Sequence, residues 1–356
     1  MTSVVGSSIA VRESSGRPSG RCLGRFPCLD DRATRSALCL KLILVLLHVM
    51  FGGALFILDT ELRRRTREHP WYTAIYLVLY LATLIQYFFT SYSSPGYVID
   101  VMMAGSGTHA TFANLSSFDQ CFAYPTNIYN NVMIKQRQIT TRNKNPSLST
   151  QINSSVWLRQ VMDLYPPGFS SRSWTCSYCH IIQPPRSKHC HDCDKCVLQF
   201  DHHCAWLGTC IGKRNHCRFW WYIFEETMLC IWTGTLYIDL LVSKAMKSWW
   251  KDLIAIILIV ILVFCFIFLI LLLLFHSYLA LTNQTTHEIM RRQRILYLRG
   301  FPSKVHPFSK GIYRNLIAFC CFCDDKHTLE AVPPVEDLEA RAQPYTCIDI
   351  ISCRCC

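Results

Sequence analysis

Apolar positions along the chain gather into long runs instead of alternating with polar positions. The longest run, residues 254–275, comprises 22 residues and carries no charge. A helix of this length spans about 30 Å, which is the thickness of the hydrocarbon core of a bilayer. The run therefore predicts a transmembrane helix, since helices buried in soluble cores are seldom apolar over such a length.

Three weaker apolar runs complete a predicted set of four transmembrane helices, at residues 38–58, 71–92 and 219–242. The second of them is uncharged and is bounded by aromatic residues, as is common where helices cross the membrane interface. Four spans place both termini on one side of the membrane, together with the segment between spans two and three. The polar N-terminal stretch is too long for a typical leader, so we expect no cleavable signal peptide.

Composition supports membrane insertion and adds a positive charge. Hydrophobic residues make up 51% of the 356 residues, and the formal net charge is +12. This charge suits a protein that faces anionic lipid headgroups or an anionic cofactor, although ordinary charge in cytosolic loops explains most of it. The long segments contain more lysine and arginine residues in total, but the short loops contain more per residue. These residues therefore do not decide which side of the membrane each segment faces. We expect no nucleic-acid partner.

The polar segment before the third run holds the densest chemistry of the chain. Eight of the 21 cysteines and six histidines fall between Cys176 and Cys217. Short cysteine spacings of this kind are typical of zinc sites, and two tetrahedral sites require eight thiolate or imidazole ligands. Disulfides are the alternative, but a cytosolic segment is kept reduced. The predicted ligands are Cys176, Cys179, His189, Cys190, Cys193, Cys196, His203 and Cys210.

This count leaves His202 and Cys204 unassigned. Spacing alone also allows Cys204 to replace one histidine, which would give a purely structural double zinc site. If residues 201–204 are extended, His202 and Cys204 share one face while His203 points the opposite way. One imidazole can then address the thiol while its neighbour binds metal. A histidine oriented by Asp201 would raise the supply of thiolate, since a free cysteine is mostly protonated at neutral pH.

The compartment and the substrate class follow from the same thiols. Zinc–thiolate clusters and a free thiol persist most easily in a reducing compartment, which places this segment and both termini in the cytosol. A nucleophilic cysteine held at the bilayer surface suits a substrate with a lipid tail and a polar head. Acyl-coenzyme A has this build, since its chain can enter between helices while its phosphates meet lysine or arginine.

Residues 176–219 resemble the DHHC cysteine-rich domain of protein S-acyltransferases, the palmitoyltransferases. The resemblance covers the complete ligand set and the Asp-His-His-Cys signature at 201–204, and it extends to Cys210, Asn215 and Phe219. Residues 285–288 are similar to the family's Thr-Thr-x-Glu motif, and the stretch around Asn315 is similar to its C-terminal packing motif. The chain departs from the family at two positions, where Ala205 replaces a usual proline and Ser94 a usual aspartate.

The resemblance implies an α-helical polytopic membrane protein with four transmembrane helices and a cytosolic two-zinc domain between helices two and three. It implies that Cys204 takes an acyl group, palmitoyl above all, from acyl-CoA and passes it to membrane-proximal cysteines of other proteins, with His202 as base and Asp201 as its partner. It assigns Cys176, Cys179, His189 and Cys196 to one zinc ion, and Cys190, Cys193, His203 and Cys210 to the other. It assigns structural support to Thr285, Thr286, Glu288 and Asn315.

The similarity is greatest to plant members, which by analogy suggests an endomembrane protein of the Golgi or the vacuole. Residues 60–70 are expected to form a charged turn, and residues 285–299 a short amphipathic helix on the bilayer. The predicted organisation of the whole chain has seven parts. They are a disordered cytosolic tail (1–37), helices one and two (38–92), a cytosolic linker (93–170), the cysteine-rich zinc domain (171–218), helices three and four (219–281), an amphipathic and packing segment (282–323) and a mobile tail (324–356).

Two other functions compete with acyl transfer. A membrane-anchored zinc scaffold would bind partners without catalysis, and it would need neither His202 nor Cys204 to be free. A channel or transporter rests only on the carboxylates in the third run, Glu225 and Glu226, and His48 in the first run is expected to be a packed residue. Cysteines near the C-terminus could be acylated or prenylated themselves, or be idle: Cys320, Cys321, Cys323, Cys353, Cys355 and Cys356.

Overall fold

The computed structural model describes residues 32–105, 148–168, 170–242, 249–299, 305–320, 329–334 and 336–338. Most of the predicted N-terminal tail and all the C-terminal cysteines beyond Cys320 lie outside these residues. The helices are α1 (Arg32–Leu58), α2 (Thr60–Glu68), α3 (Pro70–Tyr92), α4 (Val98–Gly105), α5 (Leu148–Met162), α6 (His216–Val242), α7 (Trp249–Thr282), α8 (Thr286–Arg291) and α9 (Ile312–Cys320). The strands are β1 (Lys188–Cys190), β2 (Lys195–Val197), β3 (His202–Cys204) and β4 (Thr209–Ile211).

Among the described residues, three helices are long and apolar enough to cross a membrane. They are Ser36–Leu58 within α1, Pro70–Tyr92 and Trp249–Thr282. The prediction of a helical, multi-pass membrane protein is thereby confirmed. Helix α6 comprises 27 residues, which gives it a length of about 40 Å. Its carboxylates lower its hydropathy, so its composition alone does not identify it as a fourth span.

Helix α6 nevertheless packs within the helix bundle. It lies against α3 and α7 along its length, and it also contacts α1. Tyr237 is fully buried and donates a hydrogen bond to the carbonyl of Phe51 in α1, at 2.8 Å. Nε2 of His48 lies 3.1 Å from the carboxylate of Glu226. His48 is therefore a packed residue, as predicted, and one of the carboxylates of α6 has a partner inside the bundle.

The charged stretch after α1 is a helix, although the sequence predicted a turn. Asp59 caps α2 by accepting a hydrogen bond from the backbone N–H of Leu62, at 2.9 Å. Glu61 pairs with Arg64 at 2.6 Å, three residues along the helix. Such a cap and such i,i+3 pairs stabilise a short helix, which explains why this charged stretch is helical.

The zinc domain consists of two antiparallel hairpins that lie against the end of α3. The turn after α3 joins them through the backbone, since Leu198 donates to the carbonyl of Gly96 at 2.9 Å and Arg214 donates to Pro95 at 3.1 Å. A Cβ atom at Gly212 would lie 2.6 Å from Val197 and 2.9 Å from the Pro95 carbonyl. Only glycine permits this approach. The turn therefore keeps its contacts with the zinc domain although Ser94 replaces the usual aspartate.

The predicted linker and amphipathic segment have more tertiary structure than the sequence indicated. Within the linker, α5 packs Trp157 and Val161 into the core of the zinc domain. The predicted helix at 285–299 is shorter, because α8 ends at Arg291 and two 3₁₀ turns follow. Tyr297 and Leu298 are 6% and 2% exposed and belong to the same core. Their apolar side chains therefore face the zinc domain, whereas the sequence placed them on the bilayer.

Candidate active site

The register of the two hairpins positions the predicted metal ligands. His189 pairs with Cys196 across β1 and β2, and His203 pairs with Cys210 across β3 and β4. Paired residues on antiparallel strands direct their side chains to the same face of the hairpin. Each hairpin thus contributes one histidine and one cysteine to a cluster.

The first cluster joins four side chains, to which His189 contributes Nδ1. This nitrogen lies 3.3 Å from Sγ of Cys179 and 3.9 Å from Sγ of Cys196. All four ligand atoms lie within 4.8 Å of one another. The structure therefore brings together the set that the resemblance implied for one ion: Cys176, Cys179, His189 and Cys196.

The second cluster repeats this arrangement. Nδ1 of His203 lies 3.6 Å from Sγ of Cys190, 3.4 Å from that of Cys193 and 3.6 Å from that of Cys210. The sulfurs of Cys193 and Cys210 are 3.4 Å apart. Its ligands are the other implied set: Cys190, Cys193, His203 and Cys210.

Both clusters fit a tetrahedral metal ion. Bond lengths of about 2.3 Å to sulfur and about 2.0 Å to nitrogen place neighbouring ligand atoms about 3.5 to 3.8 Å apart. The nitrogen–sulfur distances of 3.3 to 3.9 Å agree with these edges. Three thiolates with one imidazole are also a common donor set for structural zinc.

The residues between the metal ligands form a separate chain of contacts. Strand β3 is extended at His202–Cys204, so its side chains alternate. His203 turns to the second cluster, while His202 lies close to the thiol of Cys204. Nδ1 of His202 lies 2.7 Å from Oδ2 of Asp201. The structure therefore brings Asp201, His202 and Cys204 together in the predicted order and leaves Cys204 outside both clusters.

The electrostatics of the buried carboxylate favour its ionised form. Asp201 is 1% exposed. Burial alone opposes ionisation, but the charge of His216 and the hydrogen bond with His202 outweigh it and hold the pKa of Asp201 below its usual range. Burial likewise lowers the pKa of His202, but the hydrogen bond with Asp201 and the neighbouring thiol of Cys204 raise that pKa to about 9. The carboxylate thus orients the imidazole and makes it more basic.

Helix α8 supplies the other partners of Asp201. Thr286 donates its backbone N–H to Oδ1 of Asp201 at 2.7 Å and its hydroxyl to Oδ2 at 2.8 Å. Thr285 and Glu288 form a capping box around the start of the helix. The sequence left open whether these residues cap a helix or tie the tail to the catalytic segment. The structure shows both, because the capped end of α8 contacts Asp201.

Cys204 lies at the junction between the zinc domain and the membrane helices. It is half-buried against a cluster drawn from α3, α6 and α7, which includes Tyr87, Tyr222 and Leu273. Tyr87 donates a hydrogen bond to the carbonyl of Trp206 at 2.7 Å and so holds the turn that follows the cysteine. The thiol therefore faces the end of the apolar helix bundle.

The predicted packing motif fixes the end of α7. Asn315 is 2% exposed. Its amide donates to the carbonyl of Leu281 at 2.7 Å and to Ser309 at 2.9 Å, and its carbonyl accepts from the backbone of Lys310 at 2.8 Å. These bonds hold α9 and the turn before it against the helix that leads into α8.

Sequence reasoning missed a buried histidine pair beside the carboxylate. Nε2 of His216 lies 3.0 Å from Nδ1 of His276, and both residues lie close to Asp201. Their spacing would allow a metal, but the oxygens of Asp201 already receive three hydrogen bonds. His276 directly follows the longest apolar run, and the pattern of that run does not reveal which side chains it meets.

Two Cys₃His clusters thus frame a histidine-supported thiol at the end of a bundle of membrane helices. The profile of the DHHC palmitoyltransferase family matches residues 170–293, which include both clusters, the Asp201–Cys204 segment and helices α6 to α8. Protein S-acyltransferase 10 of Arabidopsis thaliana is 52% identical over 341 residues, covering 96% of each chain. The chain therefore belongs to the DHHC family of palmitoyltransferase enzymes.

More distant relatives share the central part. Probable protein S-acyltransferase 3 of Arabidopsis thaliana is 32% identical over 200 residues, which are 55% of this chain and 45% of that protein. Putative ZDHHC-type palmitoyltransferase 7 of Dictyostelium discoideum is 38% identical over 147 residues, 40% of this chain and 34% of that protein.

Proposed function

We propose that this protein is an S-acyltransferase that moves a long-chain acyl group, palmitoyl above all, from acyl-CoA to cysteines of membrane-associated proteins. The observation that carries the proposal is the position of Cys204. Its thiol belongs to neither metal cluster, lies close to His202 on the same strand and packs against the membrane helices. A purely structural zinc domain requires none of these three properties.

In the first half-reaction the Cys204 thiol gives its proton to His202, whose other nitrogen is held by Asp201. The thiolate attacks the carbonyl carbon of the acyl-CoA thioester, and the bond to the CoA sulfur breaks. The CoA thiolate leaves with the proton that His202 returns. The product is an S-acyl Cys204, and coenzyme A departs.

In the second half-reaction a substrate thiol takes the place of Cys204. His202 accepts its proton, the new thiolate attacks the acyl carbon, and the Cys204 thiolate is released and reprotonated. Water is the competing nucleophile, and the half-buried position of Cys204 limits its access. The scheme is a ping-pong exchange in which both steps use the same histidine and the same thiol.

We assign structural zinc to both Cys₃His clusters. When bound, the ions hold the two hairpins in place, and four protein ligands leave no open position for a water. One ligand of the second cluster belongs to the signature itself, since His203 lies between His202 and Cys204. Zinc in that cluster would therefore hold β3 and keep the two reacting side chains on the other face.

We also propose that α6 is the fourth span. Its length, its apolar contacts with α3 and α7 and its buried Glu226–His48 pair support this assignment. Four spans place the zinc domain and both termini on one side of the membrane, and the thiolate clusters with a free thiol favour the cytosolic side. The predicted division of the chain into seven parts follows from this topology, and residence in the Golgi or the vacuole remains an analogy with plant members.

Incubation of the purified protein with an alkyne-tagged fatty acyl-CoA tests the proposal. The wild type should acquire a hydroxylamine-sensitive label, and Cys204→Ser should not. Cys217→Ser is the matched control, because Cys217 is also half-buried but lies in neither cluster. That variant should keep the label.

An unlabelled wild type that retains two zinc ions per chain would contradict the proposal and favour the scaffold. Equal labelling of Cys204→Ser and wild type would contradict the choice of nucleophile.

A further inference from the structure

Arg186 is a fully buried arginine at the centre of the contacts between the zinc domain and the C-terminal half. Its side chain is 1% exposed. It donates to the two carboxylate oxygens of Glu288 at 2.8 and 3.0 Å, and to the side chain and the backbone of Asn283 at 2.9 Å each. A buried guanidinium requires such partners, because an unpaired charge in the interior is costly.

A second carboxylate, from a residue distant in the sequence, also binds the Arg186 side chain. Glu330 accepts a hydrogen bond from Nη1 of Arg186 at 2.6 Å. Gln199 donates to the same Glu330 oxygen at 3.0 Å, and Lys310 pairs with the other oxygen at 3.5 Å. The four charged groups, two positive and two negative, therefore balance.

The segment that carries Glu330 is packed in place. The sequence predicted a mobile tail from residue 324, and part of that tail packs against the rest of the chain. Val332 donates its backbone N–H to the carbonyl of Leu164 at 2.9 Å and is 8% exposed, and Leu338 is 1% exposed. Val332 and Leu338 thus bury their apolar side chains in the core, while the mobility of the tail stays a prediction.

We propose that Glu330 is a positioning residue for acyl transfer, which rests on the function proposed above. Glu330 and Glu288 hold Arg186 from two sides. Glu288 also closes the capping box that sets the start of α8. The first residue of α8, Thr286, donates both hydrogen bonds that orient Asp201 toward His202.

The consequence of removing Glu330 follows from this chain of contacts. Arg186 would keep one carboxylate in place of two, and its guanidinium would move toward Glu288. A displaced Glu288 shifts the start of α8 and loosens the two bonds from Thr286 to Asp201. Small displacements of this kind slow a reaction that depends on the orientation of its base.

Single-turnover acylation of Cys204 in the full-length protein tests the inference. Glu330→Gln should lower the rate at saturating acyl-CoA about tenfold, as loss of an outer-shell partner does. Zinc content and the KM for acyl-CoA should change little, because Glu330 touches neither. Glu336→Gln is the matched control, since Glu336 lies on the same segment but is exposed, and it should react at the wild-type rate.

A double-mutant cycle distinguishes positioning from general stabilisation. If Glu330 acts through Thr286, the combined Glu330→Gln and Thr286→Val variant should be less impaired than the product of the two single effects. Multiplicative effects would contradict the proposed route, as would a Glu330→Gln rate equal to that of Glu336→Gln.

The outcome is separable from that of the proposed function. A wild type that does not acylate Cys204 overturns the function, whereas an active wild type with an equally active Glu330→Gln overturns this inference alone. If Glu330→Gln loses zinc or aggregates, two other variants test the same role. Gln199→Ala and Lys310→Met each remove one contact that holds the Glu330 carboxylate in place. Wild-type rates in both of those variants would then contradict the role of Glu330.

Discussion

In both hairpins of the zinc domain, a histidine on the first strand lies opposite a cysteine on the second. His189 faces Cys196 in one hairpin, and His203 faces Cys210 in the other. The positions on either side of these histidines differ. In the first hairpin they hold Lys188 and a metal ligand, whereas in the second they hold His202 and Cys204, which bind no cluster.

The surroundings of the two hairpins differ as well. The first packs into a core formed with α4, α5 and the C-terminal segments, which includes Trp157, Tyr297 and Phe308. The second packs through Leu207 and Ile211 against the membrane helices. The two hairpins therefore share one metal-binding arrangement but differ in their proposed roles. The hairpin beside the membrane helices carries the proposed reactive residues, and the other packs into the core of the domain.

Loss of a metal ligand should have the largest effect, and the same effect in both hairpins. Cys190→Ala and Cys176→Ala should each lose about one zinc per chain and the fold with it, because such sites contribute about 10 kcal/mol or more to folding. Zinc analysis and thermal unfolding measure this. Unchanged metal content in either variant would overturn the ligand assignment, and Cys217→Ala should behave as wild type.

Removal of the proposed base should slow the reaction, whereas the equivalent change in the first hairpin should not. His202→Ala should keep both zinc ions but acylate Cys204 about 10²- to 10⁴-fold more slowly, the usual contribution of a general base. Lys188→Ala alters the equivalent register position of the first hairpin and should change the rate little. A small effect of His202→Ala in a stopped-flow or quench assay would refute its role as base.

Removal of the hydroxyl that orients Asp201 should have a smaller effect. Thr286→Val loses one of the two bonds to that carboxylate, so we expect a rate about tenfold lower with normal zinc content. Thr175→Val, whose hydroxyl contacts only the nearby backbone of Ser171, is the matched change near the first hairpin. Equal rates for the two variants would show that Thr286 does not act on the reaction.

The smallest effect should come from two tyrosine hydroxyls. Tyr87 donates to Trp206 beside the second hairpin, and Tyr165 donates to Gln183 beside the first. Each change to phenylalanine should cost about 1 kcal/mol of stability. Only Tyr87→Phe should also slow acylation of Cys204, by about two- to threefold. Measuring the acylation rate and the melting temperature of both variants in parallel resolves this difference. Equal acylation rates for Tyr87→Phe and Tyr165→Phe would contradict the proposed difference between the hairpins.

The metal ligands and the signature could be predicted because their spacing encodes local structure. Cysteines separated by two residues, and a histidine–cysteine pair within one hairpin, need only a short stretch of chain to bring their side chains together. The alternation of His202, His203 and Cys204 likewise follows from an extended strand. Three membrane spans were evident for the same reason, since hydropathy is a local property.

Contacts between distant parts could not be predicted in this way. Glu330 contacts Arg186 although it lies 144 positions further along the chain, and His276 contacts His216 although it lies 60 positions further along. No periodicity connects such residues. The apolar residues at 295–298 fitted either a bilayer or a protein core, and only the tertiary structure distinguishes the two.

The central claim is that Cys204 carries the acyl group between donor and acceptor. Its most direct test isolates the acylated enzyme, removes acyl-CoA and adds a peptide with one cysteine. We predict that mass spectrometry finds the acyl group on Cys204 before addition, and on the peptide afterwards in equal amount. An acyl group on another cysteine, or a peptide that is acylated only while acyl-CoA is present, would contradict the account.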